Sequence, residues 1–217
     1  MKYKAAIFDM DGTILNTLED LTEALNYALK TNGLPERSES DARRFLGNGL
    51  RRLIELSVPE EAGPAERERV FEAFNLYYSR HMGDHTEPYE GILSVIKELR
   101  KKGIHTAVVS NKRDYAVREL CERYFRGLFE MAAGEKDGVR RKPYPDSVEE
   151  VMKSFGVKGE ETVYIGDSEV DAETAENAGA DCILVDWGFR DRDFLESIEK
   201  AAVVSTPREL LEKIIHV

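Results

Sequence analysis

Apolar residues fall along this chain in two alternating rhythms. Short blocks without strict polar alternation cover Tyr3 to Phe8, Ile104 to Val109, Thr162 to Ile165, Asp181 to Val185 and Ala201 to Val204, with a weaker one at Leu128 to Ala132. Blocks of this kind suit central strands buried on both faces. Between them the period lengthens. Ile92, Val95, Ile96 and Leu99 repeat at the spacing of one helix face. Arg100-Lys101-Lys102-Gly103 then closes that helix with cations at its negative end and a glycine just beyond. Further helical patterns lie near residues 113–124, 145–155 and 168–178. Strand–helix–strand repetition predicts an α/β fold, a doubly wound parallel sheet with helices on both faces. In such sheets, sites form at the carboxyl ends of the strands.

One stretch breaks the rhythm. From about Asn16 to Pro88 no strand is predicted. Leu18, Leu21, Leu25 and Leu29 form one helical stripe, and Val70, Phe74 and Tyr77 another. Gly33, Pro35, Pro59, Gly63 and Pro64 punctuate the region. The expected organisation is a discontinuous α/β core, residues 1–15 and 89–217, interrupted by a helical domain over 16–88 that could be placed over the strand ends.

Composition narrows the partners. The 217 residues allow one domain or two, and 41% hydrophobic residues suffice for a core. Asp and Glu total 42 against 31 Lys and Arg, a formal charge of -11. That balance disfavours nucleic acid, which needs a basic stripe, and an anionic membrane surface. It leaves room for a small anionic ligand, because a site can be locally positive on an acidic protein. The longest hydrophobic run is four residues, whereas a membrane-spanning helix needs about 20. Asp9 and Asp11 arrive before the apolar core of a signal peptide could form. The expectation is a soluble cytoplasmic protein, monomer or homodimer, with no nucleic-acid or membrane partner. Cys121 and Cys182 sit in apolar periodic stretches and are expected as buried, reduced thiols. His81, His85, His105 and His216 show no spacing that suggests a transition-metal site.

Four segments at predicted strand ends carry the candidate chemistry. Asp9-Met10-Asp11-Gly12-Thr13 follows the first strand. Residues two apart in a strand point the same way, so two carboxylates share one small space. Their repulsion calls for a cation, and hard divalent ions such as Mg²⁺ prefer carboxylate oxygens. The alternative is a solvated turn. Gly166-Asp167-Ser168-Glu169-Val170-Asp171 follows another strand. There the two acids can approach one another, or Asp167 is a helix cap and Asp171 a favourable first-turn acid. Ser110-Asn111-Lys112 offers donors that suit phosphate oxygens, or another cap. Arg140-Arg141-Lys142 precedes a proline-fixed helix start. Composition does not tell which of these cations points inward, or whether the loop is simply solvated.

Taken in order, Asp9-Met10-Asp11-Gly12-Thr13, Ser110, Lys142 and Gly166-Asp167 with Asp171 resemble the four motifs of the haloacid dehalogenase superfamily of phosphotransferases. The resemblance spans residue 4 to about 186. The helical insert, Thr17 with its acidic helix, Ser110-Asn111-Lys112 and Trp187-Gly188-Phe189-Arg190 are similar to the phosphoglycolate phosphatase-like branch with an α-helical cap. The resemblance implies a Rossmann-like core and an Mg²⁺-dependent phosphatase of a small phosphorylated metabolite, with phosphoglycolate the leading substrate. It implies Asp9 as nucleophile and Asp11 as general acid and base. Ser110, Asn111, Gly12 and Thr13 would lie around the phosphoryl group, and Lys142 would neutralise charge. The metal would be held by Asp9, Asp167 and the Asp11 carbonyl, with Asp171 a ligand or a support. Relatives often carry Asp where this chain has Asn16, a change expected to affect the hinge.

Within the superfamily, Asp11 disfavours dehalogenation, since that branch lacks the second acid. No lysine lies between Thr31 and Ile96. That disfavours phosphonoacetaldehyde hydrolysis, which uses a cap lysine, and weakens a β-phosphoglucomutase reading. A phosphomutase, or a phosphatase of sugar phosphates or pyrophosphate, stays as the alternative. Specificity is expected from the insert, where Gly47, Asn48 and Arg52 lie in an arginine-rich, glycine-broken stretch, Arg43 to Arg52. That stretch reads equally as a helix–helix turn. Trp187 is expected to pack on the core rather than wall the cleft.

Overall fold

A computed structural model describes residues 2–216 of the chain. The first apolar block folds as β1 (Ala5–Phe8), followed by β2 (Leu15–Asn16). Four helices come next, α1 (Leu18–Thr31), α2 (Glu39–Phe45), α3 (Leu50–Ser57) and α4 (Pro64–His81), and then β3 (Glu87–Pro88). The alternating part follows as α5 (Ile92–Lys101), β4 (His105–Arg113), α6 (Asp114–Phe125), β5 (Met131–Glu135), α7 (Asp146–Phe155), β6 (Thr162–Gly166) and α8 (Glu169–Asn177). It ends with β7 (Asp181–Val185), α9 (Arg192–Glu196), β8 (Ala201–Val204) and α10 (Pro207–Ile215).

The six long strands form one parallel sheet in the order β5-β4-β1-β6-β7-β8, flanked by helices, as the alternation predicts. Both faces of its centre are buried. Ile7, Ala107, Val109 and Tyr164 join Val148, Val151 and Leu195 in one core cluster, while Ala6, Phe8, Val108 and Ile165, of opposite parity, are equally covered. Phe8 pairs with Val108 on one side and Ile165 on the other. The residues just beyond these three therefore leave the sheet at one edge, beside the point where the strand order reverses.

Two compact units result. One runs to Leu15 and resumes at Pro88; the other is Asn16–Glu87. The strands at the crossings, β2 and β3, pair with each other. In the helical unit Leu21, Leu25 and Leu29 of α1 and Val70 and Phe74 of α4 are buried. The α4 stripe continues to Tyr78 rather than Tyr77; Tyr77 instead stacks between Tyr27 at 4.4 Å and His81 at 4.2 Å. Asp20, in the first turn of α1, is buried and accepts hydrogen bonds from His85 N (2.9 Å), Thr86 N (2.9 Å) and Thr86 Oγ1 (2.6 Å). One carboxylate thus ties the end of the insert to its beginning. Local signals behave as expected elsewhere: Ser38 accepts from Asp41 N to cap α2, and Pro64 opens α4.

Two boundaries differ from expectation. β5 begins three residues after Leu128, because Phe129 turns away to pack edge-on against Phe8 at 5.9 Å and Phe125 at 5.4 Å. β4 runs on to Arg113, with its register to β5 broken between Val109 and Arg113. Cys121 and Cys182 are free and buried, and burial pushes the Cys121 thiol up to about 12. Among the described residues, no helix is long and apolar enough to cross a membrane.

Candidate active site

The edge at which β1, β4 and β6 end gathers the predicted core residues. Asp9 N donates to Ile165 O at 2.8 Å, which fixes the nucleophile candidate's backbone to β6. The chain then turns sharply: Thr13, Ile14 and Leu15 all donate their N–H to Met10 O. The turn needs Gly12, whose φ is +81° and where an added Cβ would lie 2.3 Å from Asp167 Oδ2. A Cβ on Gly188 would lie 2.4 Å from the same oxygen and 2.4 Å from Gly12 O. Backbone from two loops therefore presses on the Asp167 carboxylate, and Phe189 N donates to its Oδ2 at 2.7 Å.

Three buried carboxylates, on Asp9, Asp167 and Asp171, offer oxygens within 4.8 Å of one another. The Lys142 ammonium lies beside two of them. Lys142 Nζ donates to Asp171 Oδ1 at 2.7 Å and to Tyr164 Oη at 3.1 Å. It stands 3.0 Å from Asp9 Oδ1, close enough to pair in charge but off the axis of a hydrogen bond. Tyr164 Oη in turn donates to Val109 O at 2.7 Å. Asp171 Oδ2 accepts from Asp167 N, Ser168 N and Ser168 Oγ, the last at 2.7 Å. Both oxygens of Asp171 are thus engaged by protein donors.

The electrostatics follow from this crowding. Burial, reinforced by the charges of Asp171 and Asp11, raises the Asp9 carboxyl to about 6, with Lys142 and a hydrogen bond from Ser110 pulling the other way. Burial beside Asp171 and Asp9 raises Asp167 well above the usual carboxylate range. Burial alone would lower Lys142, but the Asp171 and Asp9 charges outweigh it and hold the ammonium well above its ordinary value.

The remaining expectations sort themselves by position. Ser110 is buried beside Asp9, and Lys112 Nζ donates to Asp11 Oδ1 at 2.8 Å. The side-chain amide of Asn111 donates to Lys142 O at 3.1 Å, so it fastens the loop that carries the lysine. Thr13 is fully buried, and its Oγ1 has no hydrogen-bond partner among the described residues. Trp187, half-buried, donates from Nε1 to Thr13 O at 3.1 Å, consistent with a packing role that also braces the β1 loop. Gly47, Asn48 and Arg52 belong to the helical unit. Gly47 and Asn48 lie in the connection between α2 and α3, and Arg52 is exposed and paired with Glu55 at 3.1 Å. The sequence pattern does not single out Tyr164 or the amide of Phe189, which the structure adds to the site. A tyrosine buried in a central strand is itself a signal, because its hydroxyl needs a partner.

Residues 6–185 match the family model described as haloacid dehalogenase-like hydrolase. The chain belongs to this family. It is 32% identical over 205 residues to the phosphoglycolate phosphatase of Mesorhizobium japonicum, covering 92% of this chain and 89% of that one. It is 26% identical over 213 residues to the pyrophosphatase PpaX of Halalkalibacterium halodurans, covering 98% and 97%. A crystal structure from Lactobacillus delbrueckii subsp. bulgaricus, provisionally named a phosphoglycolate phosphatase, superposes with a TM-score of 0.94 at 44% identity over 99% of both chains. Family and relatives together identify an enzyme, a phosphatase.

Proposed function

We propose that the chain is an Mg²⁺-dependent phosphatase of a small phosphorylated metabolite, with 2-phosphoglycolate the leading substrate, acting in the cytoplasm through an aspartyl-phosphate on Asp9. The observation that carries this reading is the buried trio Asp9, Asp167 and Asp171 around Lys142. The donor set fits a hard divalent cation: three buried carboxylates lie close together, the Lys142 ammonium pairs with Asp9 and Asp171, and burial with mutual charge raises Asp9 and Asp167. Asp9 and Asp167 would hold the ion, together with the Asp11 carbonyl. Asp171, with both oxygens engaged, would orient the loop and Lys142 instead. The bound ion supplies positive charge against the carboxylates and the phosphoryl oxygens.

The chain's own residues supply the rest. Asp9 attacks phosphorus while Lys142 keeps its carboxylate oriented and partly neutralised. Asp11 protonates the leaving oxygen, then takes a proton from the water that cleaves the acyl phosphate. Ser110 and the Asn111 region of β4 hold phosphoryl oxygens, with Gly12 and Thr13 closing the other side. Positioning and fixed charge do most of the work in such transfers. The helical unit acts as a cap that excludes bulk water, with Gly47, Asn48 and Arg52 reading the non-phosphate end of the substrate.

A second reading is pyrophosphate hydrolysis, favoured by the near full-length likeness to PpaX. Phosphate release from a panel holding 2-phosphoglycolate, sugar phosphates and pyrophosphate, with Mg²⁺ and with EDTA, decides between them. Mg²⁺-dependent release, greatest on 2-phosphoglycolate, is the expected result. Release unaffected by EDTA, or none on any member, overturns the reading.

A further inference from the structure

We propose that Lys112 is a positioning residue for Asp11, a role that rests on the phosphatase reading above. Its Nζ donates to Asp11 Oδ1 at 2.8 Å, and its side chain is only 5% exposed. Lysine is rarely buried to this degree unless paired. The Asp11 side chain, at 19%, keeps contact with solvent.

The backbone that carries Lys112 is itself fixed. Lys112 N donates to Ser110 Oγ at 3.4 Å, and Gly134 of β5 approaches so closely that an added Cβ would stand 2.5 Å from Lys112 O. Ser110 and Lys112 both lie in the irregular last part of β4, beyond Val109. Ser110 serves Asp9 and Lys112 serves Asp11. β4 thus offers one partner to each carboxylate that ends β1. Lys142 stands apart from this pair, among Asp9, Asp171 and Tyr164.

The consequence falls on Asp11, whose carboxyl exchanges its proton in the orientation that the Lys112 contact sets. As an Asp9 oxygen bonds to phosphorus, the bond from phosphorus to the leaving oxygen breaks. The electron pair goes to that oxygen, and the Asp11 proton joins it. In the return step a water oxygen bonds to phosphorus, its proton goes to Asp11, and the bond to Asp9 breaks. Loss of Lys112 would leave phosphate binding intact and misplace the proton.

The test is leaving-group dependence. kcat/KM is measured with Mg²⁺ for the full chain, Lys112→Met and Lys112→Arg on aryl and alkyl phosphates whose leaving groups span pKa values from about 7 to about 15. Lys112→Met should lower alkyl phosphates by roughly 100-fold and 4-nitrophenyl phosphate by less than about fivefold, steepening the dependence. Lys112→Arg should restore most of the alkyl rate. Equal falls across the series, or no change, would overturn the proposal. If Lys112→Met does not fold, as judged by its thermal midpoint, Lys112→Gln supplies the slope. Wild type active with an unchanged slope in the variants sinks this proposal alone, whereas wild type inactive on every ester sinks the phosphatase reading and this proposal with it.

Discussion

Replacing Asp9 by asparagine should make the metal-free protein more stable while removing its activity. Burial raises the Asp9 carboxyl from an ordinary 3.8 to about 6 in the folded chain. Between those values the folded state holds a proton that the unfolded state has released, so stability falls as pH rises through this window. Above pH 6 the loss is complete, and a shift of this size corresponds to about 3 kcal/mol. Asparagine has nothing to ionise. At pH 7.5 in EDTA, Asp9→Asn should therefore exceed the wild type by up to about 3 kcal/mol, roughly 6–12 °C in midpoint for a chain of this length. The gap should narrow as pH falls toward 4, where wild-type Asp9 is protonated when folded. Mg²⁺ should narrow it as well, because the ion stabilises the charged form. Trp187 suits the assay: it is the only tryptophan and donates to Thr13 O, so its fluorescence follows the α/β unit. An Asp9→Asn midpoint at or below that of the wild type in EDTA at pH 7.5 would refute the claim that uncompensated charge is concentrated at this site.

Three other changes probe different parts of the account. Lys142→Met removes the one ammonium shared by Asp9 and Asp171; turnover should vanish and urea unfolding should show a loss of about 3–5 kcal/mol, since a buried charge left without its partner is costly. Asp20→Ala leaves three donors at residues 85 and 86 without their acceptor, and hydrogen exchange at Thr86 should rise while the sheet of the α/β unit keeps its protection. Asn48→Ala and Arg52→Ala should raise KM for the best substrate severalfold with kcat little changed; unchanged kinetics would remove the α2–α3 connection from substrate recognition.

How much could be read before the structure depended on what each residue type reveals alone. The ends of β1 and β6 are legible because apolar runs stop abruptly at Asp9 and at Gly166-Asp167, and the combination of acids at both strand ends outweighs the turn and helix-cap readings that each allows alone. The loop before α7 was legible only in part. Composition could not choose among Arg140, Arg141 and Lys142, and the resemblance supplied the choice. In the structure Arg140 pairs with Asp146 and lies over the Tyr144 ring, Arg141 is exposed, and Lys142 is buried. Tyr164 was invisible for a different reason. Inside an apolar strand it reads as core, and only its hydroxyl, facing Val109 O and Lys142, gives it a further part. Asp20 resembles any first-turn acid that favours a helix dipole, and its partners lie 65 and 66 residues away. The α4 stripe ends on Tyr78 rather than Tyr77 because both are aromatic and only the position four after Phe74 faces inward.

The central claim is that Asp9 becomes covalently phosphorylated during turnover. The direct measurement is an acid quench of the Mg²⁺-loaded enzyme with ³²P-labelled 2-phosphoglycolate, or with the best member of the panel, followed by mapping of the labelled peptide. The account predicts label on the peptide that contains Asp9, released by hydroxylamine and absent from Asp9→Asn, which also fails to turn over. Turnover by the wild type without any covalent label, together with phosphate release by Asp9→Asn at the same rate, would contradict it.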